Sequence, residues 1–473
     1  MSSVYEDFEI MLSEKKETLI YSDFDSLELN KQHDIVNCLN NHPWVKKSPD
    51  ESGFLTTYTL NLKAYQKFLK TEAGSHLEKG GCGDDAIYTS SSFLREYMPR
   101  GMAVYDNGID FFVIRGFRKF TGLSSGDEDE HSNATNNTDN FYYRGKTLKD
   151  CKTIIVTNKS NGENGKMAIR RCLDGTYIVF AGSKNAMKYW KIGETPDFIS
   201  ENTDGSYIPA IEISKWFFNY LECASDDFFK NIAENEFTLM FEINHPNSEH
   251  IFPIDNMRMD FVSILNKDGI SIDCREAFTL FDTYELPHEP YTIHNSDELN
   301  TIIENTRSRD NTEGVVIYLY DDFECIGLLK IKTDFYVVAR AIRECCKHFG
   351  NYLLSGNVID GPVNFTNNKK NIPENLEECF SNVEKRIKKR MCNLTHLQNH
   401  TTRSREWIEL GTNFLKYYYN NYLSMNTNEE KIEYLELFKK KYGTFYHSAL
   451  NLLKIKMTVS EIIDSIIEET VIS

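Results

Sequence analysis

Six short β-rich runs, KTIIVT, KMAIRR, TYIVFAG, FTLMFEI, EGVVIYLY and ECIGLLKIK, fall within residues 151–335 and have no counterpart later in the chain. Runs of this length, broken by a helical stretch at 214–222, predict an α+β domain built on antiparallel sheet. After about residue 337 the period changes. VVARAIRECCKHFG, ENLEECFSNVEKRIKKRMCNL, SREWIELGTNFLKYYYNNYL, EEKIEYLELFKKKYG and SEIIDSIIEETVI are helical in spacing and bounded by Asn-, Gly- and Thr-rich breaks. The expected architecture is therefore an antiparallel-sheet α+β domain followed by an all-α C-terminal domain. Upstream, PRGMAVYDNGIDFFVIRGFRKF predicts a hairpin around the turn Asp106-Asn107-Gly108. Residues 124–140, acidic and polar without apolar periodicity, predict a surface loop, and residues 1–90 mix helical and short strand patterns. The division that follows is an α+β segment at 1–95, part of or appended to a catalytic domain at 96–345, with a helical domain at 346–473.

Bulk properties narrow the function classes. A hydrophobic fraction of 40% with 13% aromatic residues is that of a folded chain, and no run of about 18 apolar residues marks a membrane span. The acidic start MSSVYEDFEIML lacks the basic and apolar regions of a signal peptide, which predicts a soluble, cytoplasmic protein. The 11 cysteines include no C-x-x-C pair, so neither a zinc knuckle nor a disulfide framework is expected. A net charge of −18 excludes a protein that coats nucleic acid with its whole surface, but leaves room for a local basic cleft. There is no G-x-x-x-x-G-K-[ST] loop and no pair of H-x-T triplets, so neither a kinase nor a two-histidine phosphoesterase module is indicated.

The chemistry concentrates around Lys159, which follows the β-branched run TIIVT and precedes Ser160-Asn161-Gly162. A lysine at a rigid strand end can attack phosphorus if desolvation or nearby cations lower its pKa, and Gly162 would permit a tight turn beside a nucleotide. By itself K-x-N-G is common, and a solvated loop lysine carries the same pattern. Further along, TYIVFAG ends at Ser183-Lys184, a second cation placed to meet a phosphate. TLMFE puts Glu242 at the end of an apolar strand, where it can accept bonds from ribose hydroxyls, and Glu313 precedes another buried strand, where it can hold Mg²⁺. LLKIK places Lys330 and Lys332 two residues apart, on one face of one strand, which suits a polyanion.

In that order, KSNG, FE, EGVVI and KIK resemble the nucleophile, ribose, metal and phosphate motifs of the covalent nucleotidyltransferases, the superfamily of ligases and capping enzymes. Pro99-Arg100-Gly101, RGFRKF, FEINHPNSEHI and KIKTDFYV make the chain most similar to the T-even-phage-type RNA ligase 1 family, over about residues 95–345. The resemblance implies a nucleotidyltransferase fold and an ATP-dependent RNA ligase that carries AMP on Lys159. AMP would pass from ATP to Lys159, then to an RNA 5′-phosphate, and a 3′-hydroxyl would displace it. It implies catalytic roles for Lys159, Lys184, Lys330 and Lys332. Nucleotide binding would involve Asn158, Lys159, Gly162, Arg100, Lys119, Phe120, Glu242, Glu313, Lys330 and Lys332. Glu313 and Asn161 would serve Mg²⁺ or Mn²⁺. Asn161 stands where many members of the superfamily carry a metal-binding Asp, although fungal-type tRNA ligases also have Asn. The implied partners are RNA, above all tRNA broken in the anticodon loop, and a separate polynucleotide kinase-phosphatase that heals its ends; no membrane partner is expected.

Two other readings stay open. A GTP-dependent mRNA guanylyltransferase uses the same lysine chemistry, though no β-rich segment of OB type follows Lys332. A non-catalytic RNA-binding protein could keep the same fold. The basic run Lys385, Arg386, Lys388, Lys389 and Arg390 in the helical region fits either a solvated face or an RNA phosphate contact.

Overall fold

The computed structural model describes residues 32–71, 74, 84–122, 141–200, 207–248, 251–309, 312–340 (apart from 253 and 338) and 424–434. The polar stretch 124–140, the basic run 385–390 and nearly all of the expected C-terminal domain lie outside the described residues. Of that domain, residues 428–434 are helical.

Among the described residues, four α-helices and four strands precede the lysine segment. They are α1 (Gln32–Asn41), β1 (Val45–Pro49), β2 (Leu55–Leu60), α2 (Leu62–Phe68), α3 (Asp84–Ser90), α4 (Ser92–Tyr97), β3 (Ala103–Asp106) and β4 (Phe111–Ile114). The strands form an antiparallel sheet in the order β1-β2-β3-β4, which joins residues on both sides of position 95. The predicted hairpin is the β3–β4 pair, with Asp106 opposite Phe111 and Gly108 at φ +79° in the turn.

Nine strands follow among the described residues: β5 (Thr153–Asn158), β6 (Glu163–Arg171), β7 (Tyr177–Ser183), β8 (Met187–Lys191), β9 (Thr238–Asn244), β10 (Arg258–Leu265), β11 (Tyr291–Asn295), β12 (Gly314–Tyr320) and β13 (Cys325–Lys332). They build two antiparallel sheets, β10-β9-β6-β7-β8 and β11-β5-β12-β13. Each of the six β-rich runs of the sequence is one of these strands. Helix α5 (Pro209–Leu221) starts at a proline in its first turn, where the missing N–H costs nothing, and packs on β7. Helix α6 (Asp226–Glu234) is capped by Ser225, whose hydroxyl accepts from Phe228 N, and carries two aspartates in its first turn. Helix α7 (Cys274–Thr283) packs on β10 and α8 (Leu299–Arg307) on β12 and β13.

The two sheets share one core. Met167, Val179, Phe241 and Phe261 from the first meet Ile155, Tyr318 and Leu328 from the second. Phe217, Phe241, Phe261 and Phe281 form a chain of ring contacts with centroids 5.2–5.3 Å apart. Fully burying each such side chain contributes roughly 1.5–3 kcal/mol, so this cluster fixes how the sheets face each other. The chain passes from one sheet to the other between β5 and β6, through Lys159–Gly162. No helix among the described residues is long and apolar enough to cross a membrane.

Candidate active site

Lys159 is placed by its neighbours on both sheets. Its N–H donates to Gly314 O at 2.9 Å, extending the β5–β12 ladder by one residue. The next residue, Ser160, is buried and donates its hydroxyl to Asp260 Oδ2 at 2.6 Å, while Asn244 Nδ2 donates to both Ser160 Oγ and Asp260 Oδ2, at 2.8 and 2.7 Å. Gly162 N–H donates to Glu242 Oε2 at 3.0 Å. The tight turn expected at Gly162 is not what requires glycine, since its φ is not left-handed. The reason is proximity: a Cβ there would lie 2.5 Å from Ile243 O and 3.1 Å from Glu242 Cβ.

The ammonium of Lys159 lies 3.4 Å from Glu242 Oε1 and 3.2 Å from Glu313 Oε1, with only 15% of its side chain exposed. The expectation that desolvation or nearby cations lower its pKa is corrected here. Burial does push the lysine down, but the fields and hydrogen bonds of the two carboxylates outweigh it and hold the ammonium above its ordinary range. Each attraction is on the order of 4 kcal/mol at an effective dielectric constant near 20, against a desolvation cost of several kcal/mol for one ion. Two carboxylates share one cation, so the surplus falls on Glu242. Burial raises its carboxyl, Lys159 lowers it, Glu313 raises it again, and the net value is about 7. In this arrangement Lys159 is protonated, and nucleophilic use of its amine would require that its carboxylate partners be drawn elsewhere.

A cavity of about 450 Å³ opens above the lysine. Arg100, Lys119, Phe120, Asn158, Lys159, Gly162, Lys184, Glu242, Glu313, Lys330 and Lys332 all line it, so eleven of the twelve residues expected from sequence meet there. Asn161 lines a second cavity instead, together with Lys159 and Glu313. Phe120 stands in the wall, edge-on to Phe117 at 5.8 Å. The Lys332 ammonium lies 5.5 Å from the centre of the Tyr336 ring.

Asp84, at the start of α3, sits between two of these cations, 3.6 Å from Arg100 and 3.5 Å from Lys184. Its carboxylate therefore competes with any anion they bind. Part-exposed ion pairs contribute about 0.2–1 kcal/mol each. Asp84→Asn is accordingly expected to lower the KM of a polyphosphate substrate roughly two- to fivefold; a higher KM would mean instead that Asp84 orients the two cations.

Several functional groups were not evident from the sequence. Arg118, Arg340, Val262, Val316, Tyr318 and Leu328 also line the cavity, the last four giving it an apolar wall suited to a flat base. The Ser160–Asp260–Asn244 network joins residues 84 and 100 positions apart, which no local pattern signals. Asp260→Ala would strand the buried Ser160 hydroxyl and leave Arg258 with Glu289 at 3.7 Å as its carboxylate partner, and is expected to cost about 2–4 kcal/mol. Urea unfolding measures that loss, and an unchanged midpoint would dismiss the network as a positioning element. Lys166 was also missed. It is fully buried, donates from Nζ to Ser183 O at 3.0 Å, and is pushed by burial down to about 7.

The donor chemistry suits a hard divalent cation. Glu313 and Asn161 offer oxygen ligands, and both amide atoms of Asn161 are buried without a hydrogen-bond partner. Mg²⁺ is commonly held by one or two such groups together with substrate phosphates. Among the described residues no group of three or more His, Cys, Asp or Glu side chains is placed to hold a metal ion.

No family model and no curated protein matches this sequence. Among solved structures, the fold is similar to an archaeal ATP-dependent RNA ligase at 14% identity and a TM-score of 0.43, covering 80% of this chain and 76% of that one. A putative ATP-dependent DNA ligase from Aquifex aeolicus gives 13% identity and a TM-score of 0.41, covering 87% and 88%. A Naegleria gruberi RNA ligase variant with AMP and Mn gives 14% and 0.27, covering 40% and 53%. These superpositions are loose, and the functional reading rests on the side chains of the cavity.

Proposed function

We propose that this chain is an ATP-dependent RNA ligase of the RNA ligase 1 type, which joins a 3′-hydroxyl to a 5′-phosphate through AMP carried on Lys159. One observation carries the reading: a buried lysine, bracketed by Glu242 and Glu313 at 3.4 and 3.2 Å, forms the floor of a cavity into which Arg100, Lys119, Lys184, Lys330 and Lys332 converge. A nucleophile, a metal-competent carboxylate and a cluster of cations around one apolar wall are what nucleotidyl transfer requires.

In this reading the adenine lies against Val262, Val316 and Phe120, and Glu242 takes the ribose hydroxyls once Lys159 no longer engages it. Lys330, Lys332, Lys119, Lys184 and Arg100 neutralise the triphosphate and orient the α-phosphorus in line with Lys159 Nζ. The lysine nitrogen forms the P–N bond and pyrophosphate leaves. The RNA 5′-phosphate then takes AMP from the lysine, and the 3′-hydroxyl of the second end displaces it. Mg²⁺ or Mn²⁺ would be held by Glu313 and Asn161, and when bound it supplies positive charge to the transferring phosphates. The same reading divides the chain at 1–95, 96–345 and 346–473, with the last part for tRNA. It makes broken tRNA the substrate and a separate kinase-phosphatase the source of matched ends.

The test is purified protein with Mg²⁺ and α-labelled ATP or α-labelled GTP, resolved on a denaturing gel, followed by sealing of a nicked anticodon stem-loop. Covalent label from ATP together with sealed RNA supports the proposal. Label from GTP alone moves the chain to the capping class. No label from either nucleotide favours a non-catalytic RNA-binding protein.

A further inference from the structure

A second cavity, of about 660 Å³, lies against Lys159 and shares Asn158, Lys159, Ser160 and Glu313 with the first. Its chemistry is different. The first cavity gathers seven Arg and Lys side chains besides Lys159 against two carboxylates. The second adds only Arg258, which is already engaged by Asp260 at 3.1 Å and Glu289 at 3.7 Å, and faces Asp255, Glu289 and Glu313. Such a wall repels a free phosphate. It carries instead the amides of Asn161 and Asn256, and both polar atoms of the Asn161 amide are buried and unpartnered. Amides and carboxylates recognise hydroxyls and base edges, because together they offer donors and acceptors without net positive charge. An aromatic side is present too: Phe252 lines the cavity and stacks with Phe335 and Tyr336 at 5.9 and 6.2 Å. Rings of this kind stack on unpaired bases.

We infer that the second cavity receives the terminal nucleoside of the RNA strand that ends in a free 3′-hydroxyl; this rests on the ligase reading above. The 2′,3′-diol meets the Asn256 and Asp255 side chains and the Asn161 Nδ2 group, whose amide oxygen stays with the cation, and the base lies toward Phe252. Lys159 stands on the boundary between the cavities, so the acceptor approaches the reacting phosphate from the side that the nucleotide and its cations do not occupy. There the 3′-oxygen forms its bond to the RNA 5′-phosphorus as the phosphoanhydride bond to AMP breaks. AMP leaves with the bonding electrons, and the hydroxyl proton goes to solvent.

Two variants test this on the whole chain, Asn256→Trp to fill the cavity and Asp255→Ala to remove a hydroxyl acceptor. Lysyl-AMP formation from ATP should stay within twofold of wild type. With a pre-adenylylated donor, the KM for the 3′-hydroxyl strand should rise at least tenfold in Asn256→Trp and about threefold in Asp255→Ala, with the donor KM unchanged. An unchanged acceptor KM, an equal rise in donor KM, or a parallel loss of lysyl-AMP would overturn the assignment. Wild type that forms no lysyl-AMP would refute the ligase reading instead. Fluorescence anisotropy of a short labelled RNA then decides the cavity's role without catalysis. Weaker binding of the diol-ended RNA to Asn256→Trp, with no preference for a 3′-phosphate end, supports the site, and equal binding to both proteins rejects it.

Discussion

Lys159→Arg should abolish labelling by α-labelled ATP, with a loss of roughly 1,000-fold or more, yet still seal RNA that is supplied already adenylylated. The substitution keeps a cation between Glu242 and Glu313, so the charge balance that holds the site together survives. What it removes is nucleophilicity, because a guanidinium does not lose its proton in a protein. Joining pre-adenylylated RNA needs the cations and the carboxylates but no free amine. Sealing of that substrate should therefore stay within about tenfold of wild type. If the variant still takes label from ATP, the nucleophile is another residue; if both activities vanish together, Lys159 holds the site's geometry rather than carrying AMP.

Lys166→Met should raise stability, and by an amount that shrinks as pH rises. The amine is fully buried and has a folded pKa of about 7 against an ordinary 10.5. Between those values the unfolded chain keeps a proton that the folded chain has released, so wild-type stability climbs with pH across that window, by up to about 1.4 kcal/mol per unit. Below pH 7 the full penalty applies, roughly 5 kcal/mol. Methionine fills a similar volume without it, at the loss of one hydrogen bond worth about 1 kcal/mol. The net gain near pH 7 is on the order of 3 kcal/mol, or about 3–6 °C in Tm. Thermal unfolding at pH 6.5, 8 and 9.5 should show the gap between variant and wild type narrowing; a gap independent of pH would mean that Lys166 does not titrate in this window. The lysine has a counterbalancing use. It ties down Ser183 beside Lys184 and lies against Gly101, where φ is +71° and a Cβ would stand 2.7 Å from the amine and 2.6 Å from Lys184 O. The variant is expected to show a severalfold higher KM for ATP, a stability gain set against function.

The strands that the sequence displayed most clearly are the ones with consecutive apolar residues or strong turn signals. TIIVT, EGVVIYLY and the Asp106-Asn107-Gly108 hairpin depend on residues adjacent in the chain. Strands β8, β10 and β11 were not legible; all three are sheet edges, β8 and β11 with half-exposed side chains that break the apolar pattern and β10 with Asp260 and Ser263 interrupting it. Most of the candidate site was legible for a related reason. Lys159, Glu242, Glu313, Lys330 and Lys332 each sit at a strand end that local sequence already marked.

By itself, then, the sequence determined which charged residues are candidates for the proposed chemistry and which strand each one lies on or beside. Tertiary structure alone decided how they behave. It set Asp260 and Asn244 behind Ser160, gave Lys159 two carboxylate partners and so a proton, left Lys166 without a counter-ion among the described residues, and opened a second cavity beside the first. Strand propensity and side-chain chemistry are properties of neighbouring residues, whereas desolvation and attraction across 3–4 Å depend on which distant segments the two sheets bring together.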